Sequence, residues 1–84
     1  MLDVKFNDLI LNDLLLRCAF YQHLEIIFYD EFDKRMTLYD DRLFCLVSVS
    51  ESLYNKISNT KVLGIEINGN CLVIEIDYKT MTTA

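Results

Sequence analysis

The chain has 84 residues, 52% of them hydrophobic and 25% charged, with two glycines and no proline. That describes one domain and excludes a disordered chain, a collagen-like chain and a proline-rich linker. Eight basic residues against thirteen acidic ones leave a net charge of −5, which argues against a nucleic-acid binder, since such a protein needs a basic face to displace counterions from phosphate.

The first expected element is a helix from Asn7 to Cys18. Asn7 suits an N-cap, and Asp8 sits in the first turn where the helix dipole favours a negative charge. Ile10, Leu11, Leu14, Leu15 and Cys18 share one side at helical spacing. Leu9 and Leu16 interrupt the polar side, so a second buried face or a partner is expected there. Leu24 to Tyr29 is β-branched and aromatic and reads as a strand. Asp30 to Lys34 reads as a turn, and Arg35 to Tyr39 as a second strand with Met36 and Leu38 on one face. These two strands form a hairpin.

Asp40 and Asp41 then interrupt the pattern. Leu43 to Val47 is a short apolar run that fits a strand or a buried turn. Ser48-Val49-Ser50-Glu51 has the form of a capping box, which starts a helix at Val49 with Val49, Leu53 and Ile57 on its inner face, ending near Ser58-Asn59. Lys61 to Ile67 and Cys71 to Asp77 flank Asn68-Gly69-Asn70, a strong hairpin signal because an Asn-Gly pair tolerates positive φ. Leu63, Ile65, Ile67, Leu72, Ile74 and Ile76 point to one face, and Glu66, Cys71, Val73, Glu75 and Asp77 to the other. Gly64 within the strand marks a bulge or a close-packing point. Thr80 to Ala84 is a small polar tail expected to fray. The sum is an α+β domain of order α-β-β-α-β-β, with an antiparallel sheet of about four strands in two hairpins and two helices on one face. The second face is free to meet water.

The longest strongly apolar runs, Leu14 to Leu16 and Leu43 to Val47, fall far short of the ~18 residues that span a bilayer. The start, Met1-Leu2-Asp3-Val4-Lys5, lacks the charged-then-apolar order of a signal peptide. A cytoplasmic protein is expected. Cys18, Cys45 and Cys71 are odd in number, widely spaced and set among apolar residues, as buried free thiols are.

Signals for chemistry are weak. His23 is the only histidine, and a nucleophile would need it within hydrogen-bond reach and held by a third group. Asp30, Asp33, Asp40 and Asp41 are available for acid–base work, but that work needs one carboxyl desolvated. The cysteine and histidine spacing fits no structural zinc pattern. Asp30-x-x-Asp33 lacks the ligands and glycine of a calcium loop. No glycine loop cradles a phosphate. No catalytic residue, metal or cofactor is expected.

The acidic residues are more informative. Glu25, Glu66, Glu75 and Asp77 are expected to point away from the apolar face, and Asp30, Glu31 and Asp33 to cluster at a hairpin tip. One reading is a solvated face that keeps a small domain soluble. The other is an array of carboxylates that occupies a basic groove on another protein. Tyr21, Tyr29, Tyr39 and Tyr54 have phases that expose them. Tyr29 and Tyr39 share the outer face of the first hairpin, as an interface pair or as cross-strand support.

The stretch from Leu24 to Leu46, with Glu25-Ile26-Ile27-Phe28-Tyr29-Asp30 and Thr37-Leu38-Tyr39-Asp40-Asp41, resembles many small proteins of phages and mobile elements of Gram-positive bacteria. So does the ending from Lys61 to Ile76. The likeness covers about three quarters of the chain at the level of pattern, and the stretch after Tyr39 lacks the glycine often found there. The resemblance implies an inhibitor of host machinery, as anti-CRISPR and other anti-defence proteins are. On this reading the protein is no enzyme. The resemblance carries over no site residues; joined to the acidic-face and tyrosine readings above, it gives a protein that blocks a host nuclease or defence complex through Glu25, Tyr29, Asp30, Glu31, Asp33, Tyr39, Glu66, Glu75 and Asp77, with no direct contact to nucleic acid or membrane. The alternative is a small structural or accessory phage protein acting as a homo-oligomer, such as a homodimer, through the first helix or through Tyr29 and Tyr39.

Overall fold

The structure is a computed structural model and describes residues 9–80. Among them, four strands and three short helices follow the order α1 (Leu11–Leu15), β1 (His23–Tyr29), β2 (Arg35–Arg42), α2 (Leu43–Ser48), α3 (Glu51–Ile57), β3 (Val62–Asn68) and β4 (Cys71–Ile76), with a closing 3-10 turn at Tyr78–Thr80. The fold is α+β, as expected, but the sheet is mixed. Its strand order is β2-β1-β4-β3. Both hairpins are antiparallel, and they join through a parallel pair between β1 and β4. The chemistry of the strands explains which are central. Leu24, Ile26, Ile27 and Phe28 of β1 and Val73, Ile74 and Ile76 of β4 are all buried, as suits strands with a neighbour on either side, and β2 and β3 take the edges. The α2–α3 segment carries the chain from one edge strand to the other, a crossover that strands running the same way require.

One face of the sheet holds the core. Leu11 and Leu15 of α1, Leu43 and Leu46 of α2 and Ile57 of α3 pack on Leu24, Ile26, Phe28, Tyr39, Val62, Ile74 and Ile76. Burying such side chains contributes roughly 1.5–3 kcal/mol each before chain entropy is charged against it.

Four local expectations change. Helix α1 begins at Leu11, and Asn7 and Asp8 lie outside the described residues. The backbone before the helix is committed to the sheet edge: Ile10 is extended and bridges Lys61, the Val62 amide donates to the Leu9 carbonyl at 2.8 Å, and the Leu11 amide donates to the Thr60 carbonyl at 2.8 Å. Leu9 therefore packs on the core, while Leu16 is exposed. Second, Leu43 to Ser48 is a helix. Its two buried residues, Leu43 and Leu46, stand one helical turn apart, a period that so short a run does not reveal.

Third, the capping box does not form. Ser48 closes α2 with its hydroxyl on the Phe44 carbonyl, 2.5 Å away, and α3 starts at Glu51 with Ser50 before it. Val49 is left 79% exposed, not on an inner face. Fourth, Asp40 and Asp41 continue β2 and do not break it.

The second hairpin turns through Gly69-Asn70, with positive φ at Gly69 alone among those two. This is the pattern of a turn with glycine at its first central position, in place of an Asn-Gly pair. The register slips between Val62 and Gly64, where a bulge was expected. In the expected second-hairpin phase, Leu63 is the residue displaced: Val62 is buried and Leu63 is exposed. The tail from residue 81 onward lies outside the described residues.

Candidate functional site

Among the described residues, the helices cover one face of the sheet and leave the other open. Cross-strand pairs share a face, so the open face carries Glu25 beside Val73 and Asp40, Ile27 beside Glu75 and Thr37, and Glu66 beside Val73. Ile27 and Val73 are buried without belonging to the helix-side core. They form an apolar seam beneath the polar side chains around them.

Several expected acids are already engaged. The Glu25 carboxylate accepts from Arg35 Nη2 at 2.9 Å and from the Thr37 hydroxyl at 3.4 Å. Asp30 Oδ1 accepts from the backbone amides of Phe32 at 2.8 Å and Lys34 at 2.9 Å. That carboxylate shapes the β1–β2 loop, and Asp33 completes the turn with φ at 58°, a conformation aspartate tolerates better than most residues. Asp77 Oδ1 accepts from the Lys79 amide and holds the 3-10 turn. Among the described residues, the Glu31, Glu66 and Glu75 carboxylates enter no side-chain hydrogen bond or ion pair.

Tyr39 does not stand beside Tyr29. The β1–β2 register slips between Ile26 and Ile27, so Leu38 becomes an extra residue on β2 and Tyr39 pairs with Ile26 on the core face. A one-residue slip turns every later side chain to the other face. Tyr39 is 9% exposed and donates its hydroxyl to the Arg42 carbonyl at 2.6 Å, while Tyr29 stays 45% exposed. Burial, with the Asp41 carboxylate and Cys45 adding to it, pushes the Tyr39 phenol up to about 12. Tyr54 is also half-buried and donates its hydroxyl to Asn12 Oδ1, tying α3 to α1.

Six of the expected residues do converge. At the end of the sheet where β1 turns into β2, Tyr29, Asp30, Glu31, Asp33, Glu75 and Asp77 line one cleft of about 850 Å³. Phe28 and Tyr78, stacked at 4.5 Å, form part of its apolar wall, and Lys79 is the one cation that lines it among the described residues. Glu66 stands apart on the edge strand, Glu25 is held by Arg35, and Tyr39 is in the core.

The parallel pairing brings together a constellation that the sequence hides. His23 and Cys71 are neighbours in register, and His23 Nε2 lies 2.5 Å from Asp40 Oδ1. Cysteine, histidine and aspartate are the parts of a nucleophilic triad. Here the sulfur makes no hydrogen bond to the ring, and burial, then the Glu25 and Asp40 carboxylates, push the Cys71 thiol up. A thiol held in its neutral form is a poor nucleophile. Cys18 and Cys45 are, like Cys71, free and half-buried, and burial raises the Cys18 thiol as well. Among the described residues, no group of three or more His, Cys, Asp or Glu side chains is placed to hold a metal ion, and no helix is long and apolar enough to cross a membrane. Compared with protein-family profiles, curated proteins and solved structures, the chain finds no match.

Proposed function

We propose that the protein is a non-enzymatic binding module whose acidic cleft, with the open sheet face beside it, docks on a basic surface of another protein. Following the resemblance of its two hairpins to phage and mobile-element proteins, the partner is a host nuclease or defence complex, and docking blocks it. The observation that carries the reading is the convergence of Tyr29, Glu31, Asp33, Glu75 and Asp77 around one cleft, beside the sheet face that the described helices leave open. Carboxylates crowded at one end of a small domain give a negative field that steers a basic partner, and a half-exposed tyrosine supplies an amphipathic contact. The absence of a hydrogen bond between Cys71 and His23, whose Nε2 lies on Asp40, together with the upward push on the thiol, supports binding over catalysis.

The test is capture of a specific host protein by the wild-type chain and by Glu31→Lys/Glu66→Lys/Glu75→Lys. None of these three carboxylates makes a side-chain hydrogen bond or ion pair among the described residues. The variant is expected to keep its circular dichroism spectrum and melting behaviour and to lose the partner. A folded variant that still captures the same protein overturns the reading.

A further inference from the structure

At the other end of the sheet lies a second cleft, of about 700 Å³, with the opposite charge. Arg17 and Arg42 supply that charge, and His23, Tyr21, Ile67 and Leu72 also line the cleft. Among the described residues no carboxylate lines this cleft, although Asp40 Oδ1 lies 2.5 Å from His23 Nε2. Neither guanidinium forms an ion pair among the described residues. The walls are built in advance. The Gln22 side-chain amide donates to the Asn70 carbonyl at 2.8 Å and to the His23 carbonyl at 3.0 Å, tying the loop before β1 to the β3–β4 turn. The Phe44 amide on the Phe20 carbonyl at 2.7 Å and the Leu43 amide on the Gln22 carbonyl at 3.0 Å pin the same loop to α2. Such a site loses little ordering entropy when it is filled. Its rim is apolar, with Tyr21 and Ile67 each 77% exposed.

The β1–β2 tip has the complementary chemistry. Phe32, 81% exposed, stands between Glu31 and Asp33. The Asp30 carboxylate fixes this loop through two backbone amides. The tip is thus an acid–aromatic–acid projection whose backbone Asp30 holds, and the far cleft is a hollow with an apolar rim and two guanidiniums. The seven residues of β1 separate them by ~23 Å at 3.3 Å per residue, so a tip does not reach its own cleft.

We propose that the chain associates head to tail with a second copy of itself, the Glu31-Phe32-Asp33 tip of one copy seated in the Arg17/Arg42 cleft of the next. Because the tip and the cleft are different surfaces, each copy offers one of each, and the contact builds a closed assembly where the rotation between copies closes and a row of copies where it does not. The proposal uses the tip that also serves the proposed partner contact, but the two are separable: Arg17→Glu/Arg42→Glu leaves the acidic cleft intact, so partner capture survives while self-association is lost.

Sedimentation equilibrium from about 10 µM to about 1 mM at low salt, where exposed charges are least screened, is the test. The wild-type mass is expected to rise above the 9.9 kDa of one chain and to fall back at high salt. Arg17→Glu/Arg42→Glu and Glu31→Lys/Phe32→Lys are each expected to weaken association about tenfold or more. An equimolar mixture of the two variants is expected to associate again, because the intact tip of the first meets the intact cleft of the second. Circular dichroism verifies that each variant is folded, and should a reversal unfold the chain, Arg17→Gln/Arg42→Gln reports the same contact. A wild-type chain that stays monomeric throughout overturns the proposal. So does association that both folded variants retain, or a mixture that stays monomeric.

Discussion

Tyr39 is the sharpest test of the register. Its ring lies in the core and its hydroxyl donates to the Arg42 carbonyl at 2.6 Å, whereas Tyr29 on the same hairpin is 45% exposed. Truncating a large buried aromatic costs about 3–5 kcal/mol. The whole domain, at 84 residues, has a stability on the order of 4–13 kcal/mol. Tyr39→Ala is therefore expected to leave a chain at the edge of folding. Tyr39→Phe keeps the ring and deprives the Arg42 carbonyl of its donor, at about 1–2 kcal/mol. Tyr29→Ala is expected to cost under about 1 kcal/mol. Urea unfolding followed by circular dichroism measures all three, and with a slope of about 1 kcal/mol per molar the Tyr39→Phe midpoint moves down by about 1–2 M. If Tyr29→Ala and Tyr39→Ala cost the same within about 0.5 kcal/mol, the two side chains share a face and the slip opposite Leu38 is wrong.

Three further outcomes follow from the same geometry. Tyr39 ionises at about 12 against about 10 for a free tyrosine, so the phenolate forms first in the unfolded chain. Stability is then untouched below pH ~10 and falls as pH rises towards ~12. Tyr39→Phe removes that part of the fall, and an unchanged alkaline limb in this variant contradicts the assignment. Asp30→Ala takes the acceptor from the Phe32 and Lys34 amides and is expected to cost about 1–2 kcal/mol in chemical denaturation, with Asp30→Asn recovering much of it. Cys71 is expected to react with iodoacetamide at neutral pH more slowly than a free cysteine, and to speed up in Glu25→Gln and Asp40→Asn. A Cys71 thiol faster than free cysteine in the wild-type chain would remove the argument against thiol chemistry at His23.

What the sequence reveals is local. Leu24 to Tyr29 and Cys71 to Ile76 are readable as strands because their apolar content and turn residues are short-range signals, and the Gly64 bulge is announced by the glycine itself. Leu43 to Ser48 is not readable, since two apolar residues one turn apart in a run of five do not separate helix from strand. The Ser48 capping box competes with a bond from the same hydroxyl to the Phe44 carbonyl and loses. Leu38 carries no mark of a slip, so Tyr39 is assigned to the wrong face. The β1–β4 pairing is a contact between distant segments that two hairpins can avoid or adopt, and it decides the rest. It makes His23 and Cys71 neighbours. It also brings Glu75 and Asp77 beside the loop of Asp30, Glu31 and Asp33, with Arg17 and Arg42 in the cleft at the other end. The acidic residues were visible individually; their grouping depends on strand order.

The most direct measurement is the affinity for the captured host protein, by calorimetry across ionic strength, for the wild-type chain and for Glu31→Lys/Glu66→Lys/Glu75→Lys. Docking through exposed carboxylates predicts a wild-type affinity that falls by about tenfold or more as salt rises past the point where the Debye length drops below ~10 Å, and a folded variant whose binding is weak at every salt concentration. Equal, salt-insensitive affinities for the two chains would contradict it.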